Sequence, residues 1–319
     1  MSKSASTGII LRRLLSNRGS VFGVVVIVLL FLFAFIGPLV SGWTYSELDY
    51  TALRQAPNQE HWFGTNNIGQ DVFTQTARGM QKSLLIGLLV AVFSTGLAGF
   101  LGAAAGYFGG KADRIIMFIV DALLVLPSFL IVAILSTRIK QYGWLVLVVL
   151  LAAFSWMVTA RVIRSMTLSI KEREFVRAAQ YMGIGSFTII RRHILPNVAS
   201  FLIIDATIAV GGAVLAEASL SYFGFGVQAP DVSLGTLIAQ NQGAALTQPW
   251  LFFYSAAALI LFALAANLLG DGLRDAFDPT SRAGKRLKKN RRNGRRNNPG
   301  QPPMTANTTG PASEPVGAR

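Results

Sequence analysis

Six stretches of the chain stay apolar over about twenty residues, the length an α-helix needs to cross the hydrocarbon core of a bilayer. They are residues 21–40, 83–108, 115–137, 141–160, 198–220 and 250–269. Four carry no charge; the third contains Asp121, and the fifth contains Asp205 and Glu217. The pattern predicts an all-α, polytopic membrane protein with six transmembrane helices. Arg12, Arg13 and Arg18 precede the first stretch as in a signal peptide, but its apolar run is too long and no small-residue cleavage pattern follows. It reads as a retained anchor. The chain thus divides into a cytoplasmic segment 1–20, the first helix 21–40, a polar extracytoplasmic segment 41–82, a five-span body 83–278 and a tail 279–319.

The polar stretch between the fourth and fifth helices, 165–196, has a period of its own. Phe175, Ala178, Ala179 and Met182 recur at i, i+3, i+4 and i+7, one face of a short amphipathic helix. Ser169 and Glu172 have the spacing of a capping box at its start, and Gly183 is placed to end it in the left-handed conformation. Ser186 is a candidate cap for a second short helix, and Pro196 marks the restart into the fifth span. Such a helix can lie on the lipid interface or dock on a partner. The two alanines favour a partner, because they bury little area in lipid but admit a close surface.

Charge sets the orientation. The chain has 319 residues, 52% hydrophobic and 14% charged, with 29 Lys and Arg against 15 Asp and Glu. Threaded with the N-terminus inside, only Arg54, Arg78, Lys82, Arg138 and Lys140 fall outside. The remaining 24 basic residues are cytoplasmic, as are both termini. Nine Lys and Arg lie between Arg282 and Arg296 in a stretch without apolar periodicity, which reads as a disordered tail. A basic cluster beside a membrane meets anionic lipid. No aromatic interleaves it, so it lacks the stacking platform of a nucleic-acid binder.

Chemistry is sparse. Without cysteine there is no disulfide, thiolate metal site or cysteine nucleophile, and two histidines leave little for zinc. No catalytic residue, metal or cofactor is predicted. Gly110-Lys111 is not a phosphate loop, since Ala105 and Ala112 stand where glycine and Ser or Thr are required. Gly99, Gly102, Gly106 and Gly110 read as a close helix-packing face, within the chain or against a partner. Ionisable groups inside spans mark a lining, a pair or a wet cavity. Asp121 is seven residues from Arg114 and reads as snorkelling beside it. Asp205 and Glu217 are candidates for a translocation path; for Asp205 a polar contact between helices is the equal alternative.

Ala178, Ala179, Gly183, Leu195 and Pro196 resemble, at the same spacing, the EAA loop of bacterial binding-protein-dependent ABC importer permeases; Arg177 replaces its glutamate and His193 its isoleucine. The segment 63–72, FGTNNIGQDV, is similar to the FGTD-x-x-GRDV segment of dipeptide and oligopeptide permeases of the C-subunit type. Asn66 and Gln70 replace its usual Asp and Arg. Further similar segments are 106–110, 192–197, 215–221 and 267–275. The resemblance implies a type I importer permease fold without catalysis of its own. Its partners would be a homologous permease, two cytoplasmic ABC ATPases and an extracytoplasmic substrate-binding protein. Phe175, Arg177, Ala178, Ala179, Met182, Gly183, Leu195 and Pro196 would form the ATPase-coupling site. Peptide is the implied cargo, with nickel chelates or another small solute as alternatives. A proton-coupled secondary transporter using Asp121, Asp205 and Glu217 is the rival class.

Overall fold

A computed structural model describes residues 12–138 and 143–277. The tail 279–319 with its basic cluster, the start of the N-terminal segment and Lys140 lie outside the described residues. Helices account for the body: α1 (Arg18–Val40), α2 (Val72–Phe108), α3 (Gly110–Val125), α4 (Ser128–Arg138), α5 (Trp144–Ser155), α6 (Met157–Lys171), α7 (Glu174–Tyr181), α8 (Ser186–Ile189), α9 (Leu195–Tyr222), α10 (Leu234–Asn241) and α11 (Pro249–Phe277). Four helical stretches are long and apolar enough to cross a membrane: α1, α2, the run from Ser186 through α9, and α11. Six spans result when the bent pairs α3–α4 and α5–α6 each count as one.

The breaks have local causes. Between α3 and α4 the axis turns by 84°. Pro127 clashes with a helical preceding residue, and Leu126 is accordingly extended at φ −76° and ψ 135°. The expected straight span 115–137 is therefore two helices. Between α5 and α6 the bend is 44°. Here the Ser155 hydroxyl donates to the Leu151 carbonyl at 2.7 Å, a back-bond that loosens the helical ladder. Past it, α6 runs on to Lys171, well beyond the expected end at residue 160.

Helix α2 begins at Val72, eleven residues before the apolar window opens at Ser83. Asp71 is its N-cap, its carboxylate accepting the Thr74 N–H at 2.8 Å. Thr74, Gln75 and Thr76 are polar yet buried, because other helices rather than lipid surround them; Thr76 meets Ser255 of α11, oxygen to oxygen, at 3.3 Å. Burial against protein does not require an apolar side chain, so a hydropathy window misses this turn.

Helix α2 is the hub, touching α1, α6, α9 and α10. A Cβ on Gly102 would stand 2.5 Å from the Ala160 carbonyl oxygen, and one on Gly106 2.7 Å from that of Arg164. Gly102 and Gly106 thus serve packing within the chain, letting α2 and α6 meet backbone to backbone, while a Cβ on Gly110 would meet nothing within 4 Å. Helix α1 lies along α11, where the Arg13 guanidinium donates to the Ala276 carbonyl at 3.0 Å.

Candidate functional site

At the arginine-rich end of the bundle, α6 ends at Lys171 and α7 begins at Glu174, with Arg173 as an extended N-cap that makes no side-chain bond. The expected capping box is absent. Ser169 is still in the last turn of α6, where its hydroxyl bonds the Ser165 carbonyl instead. Gly183 does take the left-handed conformation, at φ +73°. Its N–H donates to Gln180 at 2.9 Å and that of Ile184 to Ala179 at 3.1 Å, the paired bonds of a Schellman cap. Ser186 opens α8 as its first residue, the N-cap being Gly185.

Only part of the apolar stripe faces outward. Val176 and Ala179 are buried against Ala103 and Tyr107 of α2, Ile163 and Ile170 of α6, and Ile189 and Ile190. Ala179 therefore belongs to the permease interior and corrects its expected place on a docking surface. Phe175, Arg177, Ala178, Met182 and Gly183 are exposed. Tyr181, at 90% exposure, and Phe187 extend this face. Residues 190–194 form a π turn, from which the Leu195 N–H donates to the Ile190 carbonyl, and Pro196 sits in the first turn of α9. A proline lacks the donor for the preceding turn, so a widened turn at the junction is physically apt. Leu195 is half-buried and Pro196 exposed.

Arg177 pairs with Glu172, both exposed. This contact, the hydrogen bond first, holds the Glu172 carboxyl below its usual range and raises the Arg177 guanidinium.

The three acids of the spans are held separately. Asp205 of α9 accepts hydroxyls from Thr95 of α2 at 3.2 Å and Thr159 of α6 at 2.9 Å. It joins three helices. Glu217 is wholly buried and accepts from Ser83 of α2 at 3.1 Å and Ser221 at 2.6 Å. Ser83 in turn accepts the Leu234 N–H of α10 at 3.2 Å, and Ser233 caps α10 beside Ser221. Glu217 is thereby enclosed within this chain among hydroxyls of α2, α9 and the α10 cap. Asp121 is exposed and pairs with Arg161, not Arg114; Asp113 pairs with Arg164, fastening α3 to α6.

At the opposite end, residues 41–71 fold over the start of α2 and α11. Phe63 stacks on Tyr254 at 3.8 Å, and Phe73 meets Phe33 edge to face at 5.2 Å. His61 is buried between Asp71 and Asp49 with Trp43 against its ring, a cluster that composition alone passed over. Among the described residues no group of three or more His, Asp or Glu is placed to hold a metal.

Residues 98–283, more than half of the chain, match the family described as binding-protein-dependent transport system inner membrane component. The chain belongs to that family. Residues 7–57 match a second model, the N-terminal TM domain of oligopeptide transport permease C. The chain is 52% identical to the oligopeptide transport system permease protein OppC of Mycobacterium bovis over 276 residues, 86% of this chain and 95% of that protein. A putative peptide permease protein of Brucella suis is 40% identical over 86% of the chain and 92% of its own length. The oligopeptide transport system permease protein OppC of Bacillus subtilis is 34% identical over 85% and 88%. The chain is thus a multi-pass inner-membrane permease component whose general partners are an ATPase and a substrate-binding protein. The family match runs from within α2 through α11 and so covers the arginine-rich loop, α7 included.

Proposed function

We propose that this permease component is the C-type subunit of an ATP-driven importer of peptides, forming half of the path beside a homologous permease and making or breaking no bonds itself. The arginine-rich end faces the cytoplasm with both chain ends, and the 41–71 segment faces the binding protein. Helix α7 is the contact for the ATPase. The observation that carries this is its two-sidedness: Val176 and Ala179 lock it to α2 and α6, while Phe175, Ala178 and Met182 are left outward. A short helix with a rigid inner face moves its spans when its outer face is pushed. Arg177, tied to Glu172, presents a cation there. Peptide as cargo rests on the names of the relatives, and anionic lipid is the proposed contact of the basic tail.

Reconstitution in proteoliposomes tests this reading. Uptake of labelled oligopeptide should require the partner permease, ATPases, ATP and binding protein together. Proton-driven uptake by the chain alone would support the secondary transporter instead. That rival is disfavoured by the acids themselves, since Asp205, Glu217 and Asp121 are each held by separate partners and form no continuous relay.

A further inference from the structure

At the end of the bundle opposite α7, a recess of about 450 Å³ opens between residues 66–75 and the connection from α9 to α10. Its size lies within the range of small-molecule sites, about 300–1,000 Å³. Six carboxamides line it: Asn66, Asn67, Gln70, Gln75, Gln240 and Asn241. Such a concentration of one neutral group, with Asp231 as the single charged lining residue, sets this recess apart from the apolar groove between α1 and α2.

Part of the set is fixed by internal bonds. Gln70 Oε1 accepts from Asn66 Nδ2 at 2.8 Å and from Gln75 Nε2 at 2.6 Å. Asn66 Oδ1 accepts the N–H groups of Ile68 and Gln70 at 3.0 and 2.9 Å. Gln70 Oε1 has no lone pair left, and its NH2 group has no acceptor among the described residues. Asn241 Nδ2 donates to the Leu237 carbonyl at 2.9 Å, leaving its Oδ1. Asn67 and Gln240 spend neither half of their amides on the described residues. The recess therefore presents oriented, neutral donors and acceptors together.

We propose that this recess receives the main chain of the peptide cargo as it leaves the binding protein. This rests on the peptide reading above and deepens it. A peptide backbone alternates N–H and C=O, and a carboxamide carries the same two groups, so it pairs with any peptide whatever its side chains. Charge would instead select among cargoes. Asn66 and Gln70 bond one another and neither brings a charge to the wall, so Asp231 is the one charged group of the lining. Asp231 Oδ1 accepts from the Lys82 ammonium at 2.8 Å, and this side chain, one-third exposed, keeps Oδ2 available for a peptide's terminal ammonium.

The test uses the complete importer in proteoliposomes with a radiolabelled pentapeptide. A photo-crosslinker replacing Gln240 should capture the peptide only when loaded binding protein and ATP are both present. Asn67→Leu combined with Gln240→Leu should raise the KM for uptake by about fivefold to thirtyfold, the loss of one or two neutral hydrogen bonds, with kcat unchanged. A backbone N-methylated peptide should show a smaller effect of the same substitutions. Wild-type uptake of peptide with no capture and an unchanged KM in the double variant would overturn the recess while leaving peptide as the cargo. A wild-type importer that moves another solute and no peptide would overturn both.

Discussion

The Nδ1 of His61 lies 3.0 Å from Oδ2 of Asp71, and the other oxygen of that carboxylate caps the first turn of α2. One buried pair therefore couples the fold of the 41–71 segment to the start of the hub helix. The far side of the ring faces Asp49 at 3.4 Å.

His61→Ala should destabilise the protein by about 1–3 kcal/mol, since the Asp71 carboxylate stays buried with half of its partners gone. Thermal unfolding of the detergent-solubilised protein checks this. An unchanged midpoint would show that the pair contributes nothing to the cap.

Ala178 and Ala179 are adjacent but opposite in consequence. Ala178→Asp places a charge on the exposed face of α7 and should abolish coupled ATPase stimulation and uptake while the spans fold normally. Ala179→Asp forces an unpaired carboxylate among Tyr107, Ile163 and Ile170 and should lower the yield of folded protein itself. Size-exclusion profiles measured alongside ATPase rates separate the two.

Glu217→Gln keeps acceptors and donors for the surrounding hydroxyls and should retain folding. Glu217→Leu removes the acceptor of the Ser83 and Ser221 hydroxyls, costing about 1–3 kcal/mol for each donor left unsatisfied. Proteolysis of the connection between α9 and α10 should accelerate in the leucine variant alone, because Ser83 also anchors the Leu234 N–H.

Gly102→Val should prevent α2 from seating on α6, costing at least the about 1–3 kcal/mol typical of overpacking. Gly96→Ala, on the same helix but with nothing within 4 Å of the new methyl, should be neutral or slightly stabilising. Equal expression and melting of both variants would contradict the contact.

Arg177 holds the Glu172 carboxyl below its ordinary range, so the pair stabilises the loop above the unfolded glutamate value of about 4.3 and loses this as pH falls through the folded one. The difference in melting between the wild type and Glu172→Gln should thus be small, present at neutral pH and absent in strong acid. Both groups are exposed, so salt should shrink it as well.

Helix class, the apolar stretches and the family were legible in the residue order, because each rests on local quantities: hydropathy over about twenty residues and a motif at fixed spacing. Gly183 was legible for the same reason, its left-handed turn being a property of its own backbone. Where the helices break was half-legible: Pro127 stands in the sequence and ends α3, yet the size of the turn, 84°, is visible only in the fold, where α3 packs on α2 and α6 and α4 on α5. The inner face of α7 was not legible at all. Ala178 and Ala179 are identical side chains one residue apart, and only the positions of Tyr107, on a helix far away in the chain, and of Ile163, on the preceding helix folded back against α7, decide which of them is buried. The same holds for Glu217, whose partner Ser83 lies 134 residues away, beyond any window along the sequence. His61 meets Asp49 and Asp71 from within its own segment, but no period along the sequence marks them, and only the fold of residues 41–71 brings them together. The sequence alone determined what this protein is made to cross; the tertiary structure decided which residues hold it together and which remain for its partners.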